Sequence, residues 1–390
     1  MAEFFNTGLS EQQFLEQYWQ KKPLLLRQAF ENFVCPVSPD ELAGLACEPE
    51  VESRLIREVL SSNLQWQVEN GPFTEQDFKQ LPDSHWTLLV QDSEKHLPDL
   101  TSILDPFRFI PDWRRDDLMI SYAPINGSVG PHTDGYDVFL LQAEGHRRWQ
   151  ISDKAIYNPR LLPDSDLQIL AEFEPVHQWD LSPGDILYLP PHFAHHGIAL
   201  DNCMTFSIGF RAPKQVEIID VWTNCLFERN EAQRRYSDKG LNVQQREHEL
   251  SLDVVSNVKN LLKQVVEDAD LSILIAVGRL VTETKPVLVD LAQNIMTDDL
   301  SVEQYETLLA KGGVLMQNPY FRFAWFYWQG TGYIFMAGDM YSVNDCSRQE
   351  IAALVENKQI SGVDWQSLTA NPAVKSVLCR LIADGGWYID

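Results

Sequence analysis

Six of the nine histidines, His132, His146, His177, His192, His195 and His196, fall between positions 132 and 196, and that density of imidazoles is what a metal site requires. One pair stands out, in Gly130-Pro131-His132-Thr133-Asp134. On an extended chain, residues i and i+2 point to the same face, so His132 and Asp134 can hold one ion together. Among nine histidines a single such pair is unremarkable; a second cluster gives it weight. Pro190-Pro191-His192-Phe193-Ala194-His195-His196-Gly197 follows the strand-like run Gly184–Leu189, and His195 lies 61 residues beyond Asp134, enough chain for four strands to return to the first. Two histidines and one carboxylate leave three coordination positions open, the arrangement of non-haem Fe(II) oxygenases. A 2-oxo acid takes two of those positions and O2 the third. A structural zinc would want a fourth protein ligand, usually with thiolates, and the six cysteines are scattered with no C-x-x-C spacing. From residue types alone, His192, His195 and His196 all stay open as the third ligand, and each can equally be a loop or surface histidine.

These side chains need a scaffold, and the stretch from Leu118 to Pro213 supplies closely spaced strand patterns: LMISYA, DVFLLQAEG, RRWQISD, VHQWDL, GDILYLP, HGIAL and CMTFSIGFRAP. Turn signals such as Pro124–Pro131 and Ser182-Pro183-Gly184-Asp185 separate them, which predicts an antiparallel barrel or jelly roll with a ligand-binding mouth. The first hundred residues mix α and β. A capping box at Ser10–Gln13 precedes Phe14, Tyr18 and Trp19, Leu24–Leu26 reads as a strand, Ser38-Pro39 opens a helix, and Trp86–Val90 is a buried strand. After Pro213 the period is helical, through Val216, Ile219 and Trp222 and then Val254 to Val265; the apolar run Leu271–Val281 must pack inside a bundle or against a second subunit. From Ser301 a capping box, strands near Phe321–Trp328 and Gly332–Met336, a helix capped by Ser347 and Glu350, and another over Ala373–Ala383 give a winged-helix-like unit. No internal repeat is present.

Composition bounds the partners. With 56 acidic and 31 basic residues the net charge is −25, and residues 1–200 carry 31 acids against 14 bases, so a nucleic-acid backbone is a poor ligand and a basic partner a good one. The 9 acids and 6 bases of residues 301–390 speak against DNA binding by the winged-helix shape. Isolated cysteines indicate reduced thiols and a cytoplasmic location. The opening MAEFFNTGLSEQQF lacks a basic segment followed by an apolar core, and the longest apolar run is too short for a bilayer, so neither secretion nor membrane insertion is expected.

The run HTDGYDVFLLQAEGHRRWQI and the segment SPGDILYLPPHFAHHGIAL resemble the JmjC-type cupin 2-oxoglutarate oxygenases. More narrowly they resemble the bacterial ribosomal oxygenases that hydroxylate an arginine of the sixteenth large-subunit ribosomal protein. YWQKKPLLLR, DDLMISYAPINGSVGPH and SIGFRAP extend the match, which is strong over 10–30 and 110–215 and weak after 230. The resemblance implies an α+β chain in three parts: a JmjC cupin catalytic domain (double-stranded β-helix) with N-terminal helical and strand elements over 1–213, a helical dimerisation domain over 214–285 and a winged-helix-like domain over 286–390. It selects His195 as the third ligand beside His132 and Asp134, and places His192 where the family often has glycine. Of Arg147 and Arg148, which alternate faces, it selects Arg147 with Ser121 for the distal carboxylate of 2-oxoglutarate, where a guanidinium can pair bidentately. It implies Fe(II), 2-oxoglutarate and O2, a basic ribosomal protein as substrate and a homodimer. A pocket for a cationic side chain makes Asp116, Asp117 and Asp137 candidates to line it, with an exposed carboxylate as the alternative for each. The competing readings are a related hydroxylase of histidine or another residue, a non-enzymatic acidic cupin that binds a basic partner, and a metal-dependent enzyme of a small molecule.

Overall fold

From Arg115 to Phe210 the chain runs in strands whose two faces meet different surroundings, and this alternation builds the barrel. The computed structural model describes residues 4–5, 7–59, 65–163, 167–239, 248, 250–295 and 300–389. It divides into two compact units, Met1–Ala212 and Pro213–Asp390. In the first unit the strands are β1 (Leu24–Leu26), β2 (Ser53–Val59), β3 (Gln65–Asn70), β4 (Trp86–Val90), β5 (Arg115–Ala123), β6 (Asp137–Glu144), β7 (Arg147–Ala155), β8 (His177–Leu181), β9 (Ile186–Leu189), β10 (Phe193–Ala199) and β11 (Cys203–Phe210).

Eight of them form one antiparallel sheet in the order β1-β9-β6-β11-β5-β4-β2-β3, and β10-β7-β8 form a second. His132 joins the second sheet by a reciprocal backbone pair with His195, N to O at 3.0 and 2.9 Å. Strand β6 shows how one sequence serves two cores. Phe139, Leu141 and Ala143 face the aromatic cluster of Phe4, Phe14, Phe206 and Phe210 outside the barrel. Val138 and Leu140 face inward onto Trp149, Ile151, Leu187 and Leu189. Buried on both sides, it reads as a near-continuous apolar run. Around the cavity the alternation is instead apolar outward and mostly polar inward: Leu118 and Ile120 of β5 and Phe206 and Ile208 of β11 join the outer core, while Asp117, Met119, Ser121, Thr205 and Ser207 face the cavity. The helices Glu11–Gln17 and Pro39–Leu45 start at the capping boxes of Ser10 and Ser38, as the sequence predicts.

The second unit contains the helices Gln215–Glu228, Leu252–Glu267 and Asp270–Thr282, then β12 (Leu315–Gln317), β13 (Phe323–Trp328), β14 (Thr331–Met336), β15 (Asp339–Asn344), β16 (Gln359–Ile360) and β17 (Trp387–Ile389) with further helices between them. The sheets β13-β14-β15 and β16-β12-β17 are three-stranded and antiparallel. The helices predicted from Ser301 and Ser347 are present, each with its capping box. The apolar run Leu271–Val281 is satisfied inside this unit, where Ile275 and Ala276 share a core with Cys225 of the helix Gln215–Glu228 and Phe335 of β14. Among the described residues the exposed apolar stripe lies instead on Leu252–Glu267, which buries none of its residues and leaves Val255, Val258, Leu262 and Val266 exposed. Among the described residues no helix is long and apolar enough to cross a membrane.

Candidate metal centre and cosubstrate cavity

A tight left-handed turn at Gly130 (φ +80°) delivers the metal pair; a Cβ there would press on Ile169 at 3.1 Å and Trp66 at 3.2 Å. From that turn His132 and Asp134 project to one side of the extended segment and meet His195 of β10. One donor atom from each of the three lies within 4.8 Å of the others, the single such cluster among the described residues. Asp134 Oδ2 stands 3.9 Å from His132 Nε2 and 3.5 Å from His195 Nε2. Each imidazole has its other nitrogen, Nδ1, 2.9 Å from a backbone carbonyl, of Gly130 for His132 and of Phe193 for His195. A carbonyl can only accept, so Nδ1 of each ring carries a proton and Nε2 is the nitrogen left to ligate an ion beside the carboxylate. Burial, with His132 nearby, pushes the His195 imidazolium down to about 4, which keeps the ring neutral and competent as a ligand near neutral pH.

The neighbouring histidines have other roles. The His196 ring meets Ser128 Oγ at 2.9 Å. His192 occupies a left-handed corner (φ +68°), donates its backbone N–H to Asp134 O at 2.7 Å and rests its ring against Tyr157. That backbone conformation explains why glycine suits the position.

A cavity of about 420 Å³ opens beside His132, Asp134 and His195. Arg147, 3% exposed, lines it from β7, two residues before Trp149 and on the same inward face. Its Nε and Nη2 are buried without a hydrogen-bond partner among the described residues. A buried guanidinium with orphaned donors is costly unless an anion completes it, so this is the place for a carboxylate. Ser121 of β5 also lines the cavity, its hydroxyl donating to Thr205 O at 3.3 Å. Arg148, on the opposite face of β7, forms a two-pronged pair with Asp180 at 2.7 and 2.8 Å, on the surface. The donor set therefore fits a divalent metal with open positions, and Arg147 fits the far carboxylate of a dicarboxylic 2-oxo acid.

Of the three carboxylates that could face a cationic substrate, Asp117 lines the cavity and is buried. Asp137 does not line it. As the first residue of β6 it is fully buried behind the barrel wall, held by Tyr188 Oη at 2.7 Å, Gln20 Nε2 at 3.0 Å and Arg114 at 3.4 Å. The i, i+2 rule that aligns His132 and Asp134 runs on to Tyr136, so Asp137 turns to the other face. Asp116 is half-buried and acts on the site through its charge: nearby Asp134, burial, Asp117 and Asp116 together push the Tyr136 phenol well above its ordinary range. Tyr136, Gln91 and Arg54 also line the cavity, and sequence reasoning does not single them out. Tyr136 continues the series His132, Asp134 at the next i+2 position. Arg54 and Gln91 lie on β2 and just after β4 at inward positions that alternate with the outer-core residues Leu55 and Val90, a period-2 signal in strands to which the histidines draw no attention.

A family model for the JmjC domain matches residues 102–218. The chain is 32% identical to the ribosomal protein uL16 3-hydroxylase of Escherichia coli (strain K12), over 97% of each chain. Its structure superposes on the X-ray structure of E. coli ycfD with a TM-score of 0.82 at 30% identity, covering 98% of this chain and 99% of that one. A structure of that ribosomal oxygenase in complex with cobalt and 2-oxoglutarate gives a TM-score of 0.79 at 30% identity, covering 98% and 99%.

Proposed function

The chain belongs to the JmjC-domain ribosomal oxygenases, and from that premise we propose that it hydroxylates the β-carbon of an arginine in a basic large-subunit ribosomal protein. It is an Fe(II)- and 2-oxoglutarate-dependent oxygenase. His132, Asp134 and His195 are the metal ligands in this reading, and Arg147 with Ser121 holds 2-oxoglutarate. The observation that carries it is the composition of one cavity: two imidazoles and a carboxylate on one wall, an incompletely bonded guanidinium inside, and Asp117 with Tyr136 for a cationic side chain. A relative that is the 3-hydroxylase of uL16 supports both substrate class and position, since carbon 3 of an amino acid is its β-carbon.

When bound, Fe(II) with 2-oxoglutarate and O2 supplies the redox chemistry: decarboxylation to succinate and CO2, and insertion of one oxygen into a substrate C–H bond. The chain's own residues orient and shield. The Nδ1–H bonds of His132 and His195 fix the ring planes, so that the ligand lone pairs are pre-aimed. Arg147 sets the direction of the cosubstrate through a planar fork that a lysine lacks. Leu140, Trp149 and Ile169 give the cavity an apolar wall, beside which Asp117 offers a counter-charge to a guanidinium.

The assembly is read the same way. The exposed stripe Val255, Val258, Leu262 and Val266 supports a homodimer built on 214–285, because a soluble helix with this face uncovered would expose a continuous apolar strip. The sheet β13-β14-β15 with the helices Arg348–Glu356 and Pro372–Ala383 supports the winged-helix-like reading of 286–390. Its acid excess favours a protein partner over DNA, and a ribosomal substrate implies a cytoplasmic enzyme.

The test is incubation of purified ribosomal protein with the enzyme, Fe(II) and 2-oxoglutarate, followed by peptide mass spectrometry. One added oxygen on the β-carbon of an arginine is expected. Oxygen on histidine or another residue would transfer the site to that substrate class, and no turnover with any large-subunit protein would remove the ribosomal reading.

A further inference from the structure

The cavity-lining carboxylate Asp117 is not set there by its own strand alone. Gln91, the residue after β4, reaches two opposite charges at once. Its carboxamide satisfies both neighbours in one orientation only, with the nitrogen donating to Asp117 Oδ2 at 2.7 Å and the oxygen accepting from Arg54 Nη2 at 2.8 Å. The backbone N–H of Asp92 adds a longer contact to the same Asp117 oxygen at 3.4 Å.

Arg54 is unusual in so acidic a chain. The next arginine along β2, Arg57, is three positions on, so it faces away from the cavity, and it pairs with Glu69 across the strands. Arg54 instead lines the cavity, and its Nε is buried without a hydrogen bond among the described residues. A guanidinium and a carboxylate that both reach one carboxamide in a cavity wall would, without it, be drawn together as an ion pair. Such a pair would neutralise Asp117 and occupy the oxygens that an incoming cation needs. The amide between them carries no charge, donates to one partner and accepts from the other, and so separates the charges by one hydrogen-bonded link.

We infer that Gln91 is a positioning residue for the substrate subsite: bridged to Asp117 and Arg54, it holds the carboxylate toward the cavity and keeps Arg54 from collapsing onto it. The inference rests on the reading of Asp117 as the counter-charge for the substrate guanidinium. It adds a specificity determinant that contacts neither metal nor cosubstrate.

Steady-state kinetics of the full-length enzyme on an arginine-containing ribosomal-protein peptide test it. Gln91→Ala and Gln91→Met should each raise the peptide KM on the order of tenfold, the worth of one charge-assisted contact, with a smaller change in kcat and the 2-oxoglutarate KM within about twofold. Gln91→Met keeps the volume and loses both hydrogen bonds, so a wild-type KM for it would reduce Gln91 to packing and overturn the inference. The decisive readout is the double variant. In an Arg54→Met background the guanidinium that Gln91 bridges is gone, and Gln91→Ala should then change the peptide KM by less than about threefold. An equal loss in both backgrounds would overturn the inference. Asp117→Asn separates the two levels of the argument. A raised peptide KM in that variant with unaffected Gln91 variants would sink the positioning role alone; an unchanged KM would sink the arginine subsite and the inference with it.

Discussion

Arg147 and the three proposed metal ligands, His132, Asp134 and His195, divide the work by charge. The proposed ligands offer one carboxylate and two imidazoles, and Arg147 contributes a positive charge whose Nε and Nη2 have no hydrogen-bond partner among the described residues. Arg147→Met should therefore raise the 2-oxoglutarate KM on the order of 10–100-fold, and Arg147→Lys, which keeps the charge and loses the fork, should fall between wild type and Met. Equal values for Lys and Met would show that charge plays no part. His132→Ala should abolish Co(II) binding measured by titration calorimetry and with it 2-oxoglutarate turnover, whereas His192→Gly should preserve Co(II) binding, since His192 uses its backbone and not its ring near the metal. The metal pair is legible in the sequence because extended chain has a period of two, which puts His132 and Asp134 on one face without knowledge of the fold. The choice of His195 over its neighbours is not legible from spacing, because the bulge between Phe193 and His195 shifts the register that a simple alternation would assume.

At the scale of elements, the cavity depends on how closely β7 and β10 approach and on what stands behind β5. Gly197 pairs with Trp149 across the two strands, and a Cβ at Gly197 would meet the indole ring at 2.7 Å. Gly197→Ala should cost about 1–3 kcal/mol in denaturant unfolding and weaken 2-oxoglutarate binding, since Trp149 and Arg147 share a face. A variant as stable as wild type would show that the indole can move. Behind β5, Glu94 accepts the Leu118 N–H at 3.0 Å, and burial together with Asp92 and Asp117, opposed by Lys95, pushes its carboxyl up to about 7. Its folded pKa lies above the unfolded value of 4.5, so the native state binds the extra proton between those limits. The Glu94 contribution to stability is thus fully present below pH 4.5 and lost as pH rises through about 7. Glu94→Gln, which cannot ionise, should gain on wild type between about pH 5 and pH 8 by on the order of 2 kcal/mol in urea unfolding, and a pH-independent difference would refute the shift. The strand-rich core and the capped helices are readable because patterning and capping are local. Strands β2 and β3 are not, since charged residues such as Arg54, Arg57 and Glu69 interrupt their alternation to serve the cavity and a cross-strand pair.

For the whole molecule, two properties of the surface bear on how a substrate is met. One is the apolar stripe of Leu252–Glu267, which sequence periodicity reveals but cannot assign to an interior or an interface; the more uniformly apolar Leu271–Val281 is the stronger interface candidate by sequence, yet it is buried against Phe335. Leu262→Asp together with Val266→Asp should convert a dimer to a monomer in light scattering while leaving Co(II) binding intact, because neither residue belongs to the catalytic unit. A single mass for both proteins would remove this face from the interface. The other property is the net charge of −25, of which residues 1–200 carry 31 acids against 14 bases. That field attracts a basic ribosomal protein and repels the phosphate backbone on which the same protein sits once assembled. Free and assembled substrate thus present opposite signs to the same enzyme. Hydroxylation should be faster on the isolated ribosomal protein than on intact ribosomes, and its kcat/KM for the isolated protein should fall as salt rises, because exposed charges are screened beyond about 10 Å at 0.1 M. Rapid modification of intact ribosomes at low salt would contradict this, since it would require the acidic barrel to approach ribosomal RNA at the ionic strength where their repulsion is strongest.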